Sequence, residues 1–116
     1  MSIEKLIENY IAMNVAGQAL ELIDKHYAED VLVLNGGEIF ASSRQESCDK
    51  QKGFIEAVAS SDNKLVSSDI DGNVSTLVFR YQMVGKDGRE MAFTGRHVLT
   101  WKDGLIVHEA YETLPD

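Results

Sequence analysis

Apolar residues recur at three- and four-residue steps through the first fifteen positions, as Ile3, Leu6, Ile7, Tyr10, Ile11 and Val15. That period lays one stripe along a helix, so the pattern predicts an amphipathic helix over about residues 2–14. Ser2 suits its N-cap, and Glu4 suits the positive end of its dipole. Gly17 interrupts the stripe, and a second helix carries Leu20, Ile23 and Tyr27 on one side. The run Val31-Leu32-Val33-Leu34-Asn35 then reads as a buried strand, halted by Gly36-Gly37.

A third helix is announced by Ser43-Arg44-Gln45-Glu46, a capping box whose end residues satisfy each other's backbone donors. Phe54, Ile55 and Val58 give it an apolar side. After residue 63 the period changes from helical to alternating. Four strands follow, near 64–71, 74–84, 90–101 and 105–113, separated by Asp71-Gly72-Asn73, Lys86-Asp87-Gly88 and Lys102-Asp103-Gly104. The one proline, Pro115, lies outside every element, and no linker, repeat or low-complexity tract appears. The chain therefore reads as a single domain over 1–116 of the α+β class, three N-terminal helices packed on a mostly antiparallel sheet.

The two Lys-Asp-Gly triplets bear on register. Each suits a type I turn closed by a left-handed glycine, which makes a three-residue hairpin loop. Met83 then faces Met91, Tyr81 faces Phe93 and Phe79 faces Gly95. In the last hairpin Trp101 faces Leu105, Leu99 faces Val107, His97 faces Glu109 and Gly95 faces Tyr111. Opposed residues share a side, so one face collects Leu77, Phe79, Tyr81, Met83, Met91, Phe93, Leu99, Trp101, Leu105, Val107 and Tyr111, with His97 and Glu109 among them. The other face holds Thr76, Arg80, Gln82, Thr94, Arg96, Thr100, His108 and Glu112, mixed with Val78, Val98, Ile106 and Ala110. A two-residue Asp103-Gly104 turn is the alternative. It shifts the last pairing by one and sends Glu109 to the other side. The three-residue loop separates apolar from polar residues better in both hairpins and is preferred.

Composition narrows the function classes. With 116 residues the chain has the size of one domain, and its 44% hydrophobic and 26% charged residues are ordinary for a globular protein. A net charge of −8, with eleven scattered basic residues, argues against nucleic acid and against an anionic membrane surface. No run approaches the roughly 18 apolar residues of a membrane span, and MSIEKLIENY is not a signal peptide, so a cytoplasmic setting is expected. Cys48 is the only cysteine, which leaves no internal disulfide and no thiolate metal cluster. His26 and His108 are expected at the surface. The mixed outer sheet face is too apolar to be left to water, and a homodimer through it is the expected assembly.

The segment NYIAMNVAGQALELIDKHYAEDVLVLNGG, residues 9–37, resembles the opening of the SnoaL-like and ketosteroid-isomerase-like families. These belong to the nuclear-transport-factor-2-like (cystatin-like) superfamily. The resemblance covers nearly the whole chain: a helix ending in Ala16-Gly17, then Tyr27-Ala28-Glu29-Asp30 before a strand, then Trp101-Lys102-Asp103-Gly104 in the last hairpin. It implies a strongly bent sheet that forms a cone with an internal pocket. Tyr10 falls where ketosteroid isomerases place the tyrosine of their oxyanion hole, and His97 where they place the protonated aspartate that shares it. Their aspartate base would fall at Leu34 or Asn35, neither of which takes a proton. The resemblance to SnoaL-like polyketide cyclases is closer. Their pocket carries a histidine on the penultimate strand and an acidic acid/base residue on the last, much as His97 and Glu109 stand here.

The chemistry these residues suit is proton abstraction next to a carbonyl. Glu109, desolvated beside Trp101 and Tyr111, is the expected general base, with His97 positioning it or shuttling its proton. Tyr10 is the expected donor to the enolate oxygen, and Asn35 a second donor. Phe79, Tyr81, Phe93, Leu99, Trp101 and Tyr111 are the expected lining for a small apolar ligand. No cofactor is implied, and no metal, since His97 and Glu109 supply only two ligands. The competing expectation is a non-catalytic ligand-binding or dimerisation domain, in which the buried pair merely holds two strands in register.

Overall fold

The structure, a computed structural model, describes residues 2–115. Helix α1 spans Ile3–Val15 and α2 spans Ala19–His26. Strands β1 (Tyr27–Asn35) and β2 (Glu38–Ala41) form a hairpin, followed by helix α3 (Arg44–Glu56). Four long strands complete the chain: β3 (Val58–Asp71), β4 (Val74–Gly85), β5 (Glu90–Lys102) and β6 (Leu105–Leu114). All six strands form one sheet in the order β2-β1-β6-β5-β4-β3, antiparallel except where β1 runs parallel to β6. The α+β architecture expected from the pattern of residues is the one observed. No helix among the described residues is long and apolar enough to cross a membrane.

The helix starts follow their sequence signals. The Ser2 hydroxyl accepts from the Lys5 amide at 3.4 Å and caps α1. Ser43 accepts from the Glu46 amide at 3.0 Å, while the Glu46 carboxylate reaches one residue beyond the cap, to the Ser42 amide at 2.7 Å. In α2 the buried side is Leu22, Ile23 and His26 rather than Leu20, Ile23 and Tyr27. Tyr27 caps that helix in extended conformation and opens β1, because the chain must turn there to enter the sheet.

Two further elements differ from expectation. Residues 38–41 pair with β1 as a short strand across the Gly36-Gly37 turn, both glycines having positive φ. Val58 belongs to β3, not to the apolar side of α3. The first residues of β3 are mostly polar and exposed, so their strand character comes from pairing with β4 rather than from burial.

The β4–β5 hairpin has the expected register, with Met83 opposite Met91, Tyr81 opposite Phe93 and Phe79 opposite Gly95. Its three-residue loop closes through Gly85 N–H to Arg89 O at 2.8 Å, with Gly88 at φ 84°. The same Lys-Asp-Gly triplet behaves differently in the last hairpin. There Asp103 (φ 52°) and Gly104 (φ 83°) alone form the turn, and Lys102 pairs with Leu105 and Trp101 with Ile106. A β-bulge between Thr100 and Trp101 then shifts the register, so that Leu99 stands opposite Glu109 and His97 opposite Tyr111. Ile106, expected on the outer face, is instead fully buried beside Trp101.

The core sits between the helices and one sheet face and contains Ile7, Tyr10, Leu22, Ile23, Val31, Val33, Leu77, Phe79, Leu99, Trp101 and Ile106. Burying each large side chain there contributes about 1.5–3 kcal/mol. His26 is in this core at 1% exposure, not at the surface. Asn9 holds its Nε2 through a 2.7 Å hydrogen bond, and the Tyr10 and Trp101 rings pack against it. His108 is half-buried on the outer face.

Candidate functional site

Between the helices and the sheet lies a cavity of about 560 Å³. That is within the range of roughly 300–1,000 Å³ typical of small-molecule sites. Its wall is largely apolar, with Leu22 and Ile23 from α2, Val33 from β1, Phe40 from β2, Phe54 from α3 and Phe93 from β5. Into this wall the sheet and α1 set Tyr10, Asn14, Tyr27, Asn63, Tyr81, His97, Glu109 and Tyr111.

Five of these residues, Tyr27, Glu109, His97, Tyr81 and Asn14, form one connected chain. His97 Nδ1 and Glu109 Oε2 are 2.5 Å apart. The Tyr27 hydroxyl donates a hydrogen bond to Glu109 Oε1. On the other side of the imidazole, Nε2 lies 2.7 Å from the Tyr81 hydroxyl, and Asn14 Nδ2 donates to that hydroxyl at 3.0 Å. Glu109 is 4% exposed, a depth at which a carboxylate requires such donors. In the tautomer that carries its proton on Nδ1, toward the carboxylate, the imidazole accepts at Nε2. Tyr81 then gives its proton to the ring and accepts from Asn14.

Burial and charge keep the surrounding phenols protonated. Tyr10 and Tyr27 are pushed well above the ordinary phenol range, first by burial and then by the Glu109 carboxylate. Tyr81 is also raised, chiefly by burial, with the Asn14 hydrogen bond opposing. Tyr111 is raised by burial too, and its ring stacks on His97 at 4.9 Å and 26°. All four are therefore donors, not acceptors of a substrate proton.

Of the residues expected at the site, Tyr10, Asn35, Tyr81, Phe93, His97, Glu109 and Tyr111 all line the cavity. Asn35 does so from the exposed end of β1. Phe79, Leu99 and Trp101 lie in the packed core rather than on the cavity wall, and the Trp101 indole N–H donates to Ser75 Oγ at 3.0 Å. Tyr27, Asn14 and Asn63 join the site without a local sequence signal. Tyr27 had the spacing of a helix face, and both asparagines read as ordinary polar positions. Among the described residues, no cluster of three or more His, Cys, Asp or Glu side chains is gathered to hold a metal.

Neither a protein-family profile nor a curated protein matches the chain. Solved structures do. A candidate SnoaL-like polyketide cyclase from Mesorhizobium loti superposes with a TM-score of 0.79 at 17% identity, over 96% of this chain and 98% of that one. A candidate hydroxylase from Streptomyces galilaeus gives 0.81 at 14% identity, over 96% and 87%. An NTF2-like protein of unknown function from Burkholderia pseudomallei gives 0.77 at 14% identity, over 100% and 92%. At such identities the likeness is one of fold. The chain has the nuclear-transport-factor-2-like fold that SnoaL-like and ketosteroid-isomerase-like proteins share.

Proposed function

We propose that this chain carries out cofactor-independent acid–base chemistry on a small apolar carbonyl compound, in the manner of SnoaL-like cyclases and isomerases. The observation that carries this reading is the run of hydrogen bonds from Tyr27 through Glu109, His97 and Tyr81 to Asn14 on the wall of an apolar cavity. A buried carboxylate that orients an imidazole leaves the far ring nitrogen as the proton acceptor. His97 is also the more exposed partner, at 12% against 5% for Glu109. In this reading His97 is the base and Glu109 fixes its tautomer, which inverts the roles expected from the residues alone.

The step is removal of a proton from the carbon beside the carbonyl by His97 Nε2, with Glu109 balancing the imidazolium charge. For this the Tyr81 hydroxyl first turns its proton from Nε2 to the substrate carbonyl oxygen, which frees the Nε2 lone pair; once protonated, Nε2 donates to the Tyr81 oxygen. Tyr10 is less suited to that task, because it lies deeper in the core, at 1% exposure against 7% for Tyr81. Returning the proton to a different carbon completes an isomerisation. Attack of the enolate on a second carbonyl of the same molecule, with the proton passed to the new alkoxide, completes a cyclisation. Each such donor or base typically contributes a factor of about 10² or more.

The second reading is a ligand-binding domain without turnover, favoured by the fact that every polar atom of the His97–Glu109 pair already has a protein partner. Exchange of the α-protons of 2-tetralone in deuterated water separates the two. Turnover predicts exchange faster than in buffer, and mere binding predicts exchange no faster than in buffer. Homodimerisation through the outer sheet face is also part of the proposal, supported by half-buried Val78, Val98 and Ala110 beside the Arg96–Glu112 ion pair.

A further inference from the structure

The cavity has a polar corner that the acid–base chain does not use. Asn63 lies directly across from Tyr81 in the β3–β4 ladder, so it shares the inner face, and it is only 6% exposed. Its Nδ2 donates to the backbone carbonyl of Asn14 at 3.0 Å. A carbonyl can only accept, which fixes the orientation of this amide and turns Oδ1 the other way. Among the described residues, Asn63 Oδ1 has no hydrogen-bond partner.

Asn14 ends in the same condition. An amide nitrogen can only donate, and Asn14 Nδ2 donates to the Tyr81 hydroxyl at 3.0 Å. Asn14 Oδ1 is left over, and it too has no partner among the described residues. Both asparagines line the cavity. A buried acceptor without a donor costs about 1–3 kcal/mol, so two of them in one corner make a demand that a ligand can meet.

We propose that Asn63 and Asn14 form a subsite that reads a hydroxyl or N–H group on the ligand, apart from its reacting carbonyl. The inference rests on the cavity being a ligand site and narrows the substrate class from apolar carbonyl compounds to those that also carry a hydrogen-bond donor. An analogue with a methyl ether in place of the hydroxyl fills the same space but leaves both amide oxygens unpaired. Discrimination by a buried unpaired polar group is stronger than discrimination by shape alone.

The test uses 2-naphthol and 2-methoxynaphthalene, titrated calorimetrically into the wild-type protein, so it does not depend on any variant folding. The expected result is that 2-naphthol binds about tenfold more tightly or better, the worth of one buried hydrogen bond. Asn63→Leu should erase the preference by weakening 2-naphthol alone. Equal affinity for the two probes, or a preference that survives Asn63→Leu, overturns the subsite while leaving the cavity as a ligand site. Binding of neither probe overturns both.

Discussion

His97 and Glu109 are joined at 2.5 Å between Nδ1 and Oε2, yet neither is the other's partner across the β5–β6 ladder. His97 stands opposite Tyr111, and Glu109 opposite Leu99. A two-residue turn at Asp103-Gly104 by itself would send Glu109 to the outer face. The bulge between Thr100 and Trp101 restores it to the inner one. Asn73 seals the irregularity, accepting from the Trp101 amide at 2.8 Å and donating to its carbonyl at 3.1 Å. The pair thus meets diagonally, held by a backbone irregularity that begins three residues along β5 from His97.

Tyr27→Phe removes the donor to Glu109 Oε1 and leaves a buried carboxylate oxygen short of a partner. The expected loss of stability is about 1–3 kcal/mol, read from urea unfolding. A change within a few tenths of a kcal/mol would mean that Tyr27 does not support Glu109.

Gly95 faces the two rings that flank His97. A Cβ at this position would lie 2.8 Å from Tyr111 Oη and 3.1 Å from Tyr81 Cε2. Gly95→Ala must therefore displace rings, one stacked on His97 and the other hydrogen-bonded to it. Overpacking of this kind costs about 1–3 kcal/mol, and the His97 ring resonances should shift in the NMR spectrum. An unchanged His97 environment in a folded variant would contradict the contact.

Burial, and secondarily the charge of Lys25, lowers the pKa of His26. The unfolded chain, with its histidine near about 6.5, then takes up protons more readily than the folded one. The stability that His26 contributes is present above that value and is lost as pH falls through the lowered folded value. Urea midpoints measured from pH 7.5 down to 5 should fall more steeply for the wild type than for His26→Gln. Parallel curves would show that His26 is not held neutral by the fold.

The proposed homodimer would cover Val78, Val98 and Ala110, which are half-buried on the outer face. Val98→Glu places a charge in that patch and should convert a dimer to a monomer in light scattering, with the fold retained. A wild-type monomer at all concentrations would remove the proposed interface.

Much of the fold was legible because local chemistry and burial agree. The α1 stripe, the Ser43–Glu46 cap and the β4–β5 register each had two signals pointing one way. The last hairpin did not. Leu105, Ile106 and Val107 are all apolar, so alternation could not say which of them faces inward. The triplet Lys-Asp-Gly permits both loop lengths, and burial of Ile106 against Trp101 decides between them. Strand β2 and the first turn of β3 have exposed or polar residues, so the sheet dictates them, not their own pattern. At the site, the face shared by His97 and Glu109 was readable. The reach of the Tyr27 and Tyr81 hydroxyls was not, because Tyr27 starts a strand where its spacing suggested a helix. Tyr81 pairs with Phe93, four residues along β4 from Leu77, the residue opposite His97.

The most direct measurement is α-proton exchange of 2-tetralone in deuterated water, comparing wild type with Glu109→Gln. The substitution keeps the shape of the side chain, so the melting temperature should change by no more than a few degrees. Exchange should be faster than buffer with the wild-type protein and fall by a factor of about 10²–10⁴ in the variant. Wild-type exchange no faster than buffer, or exchange undiminished in Glu109→Gln, would contradict proton transfer by the His97–Glu109 pair.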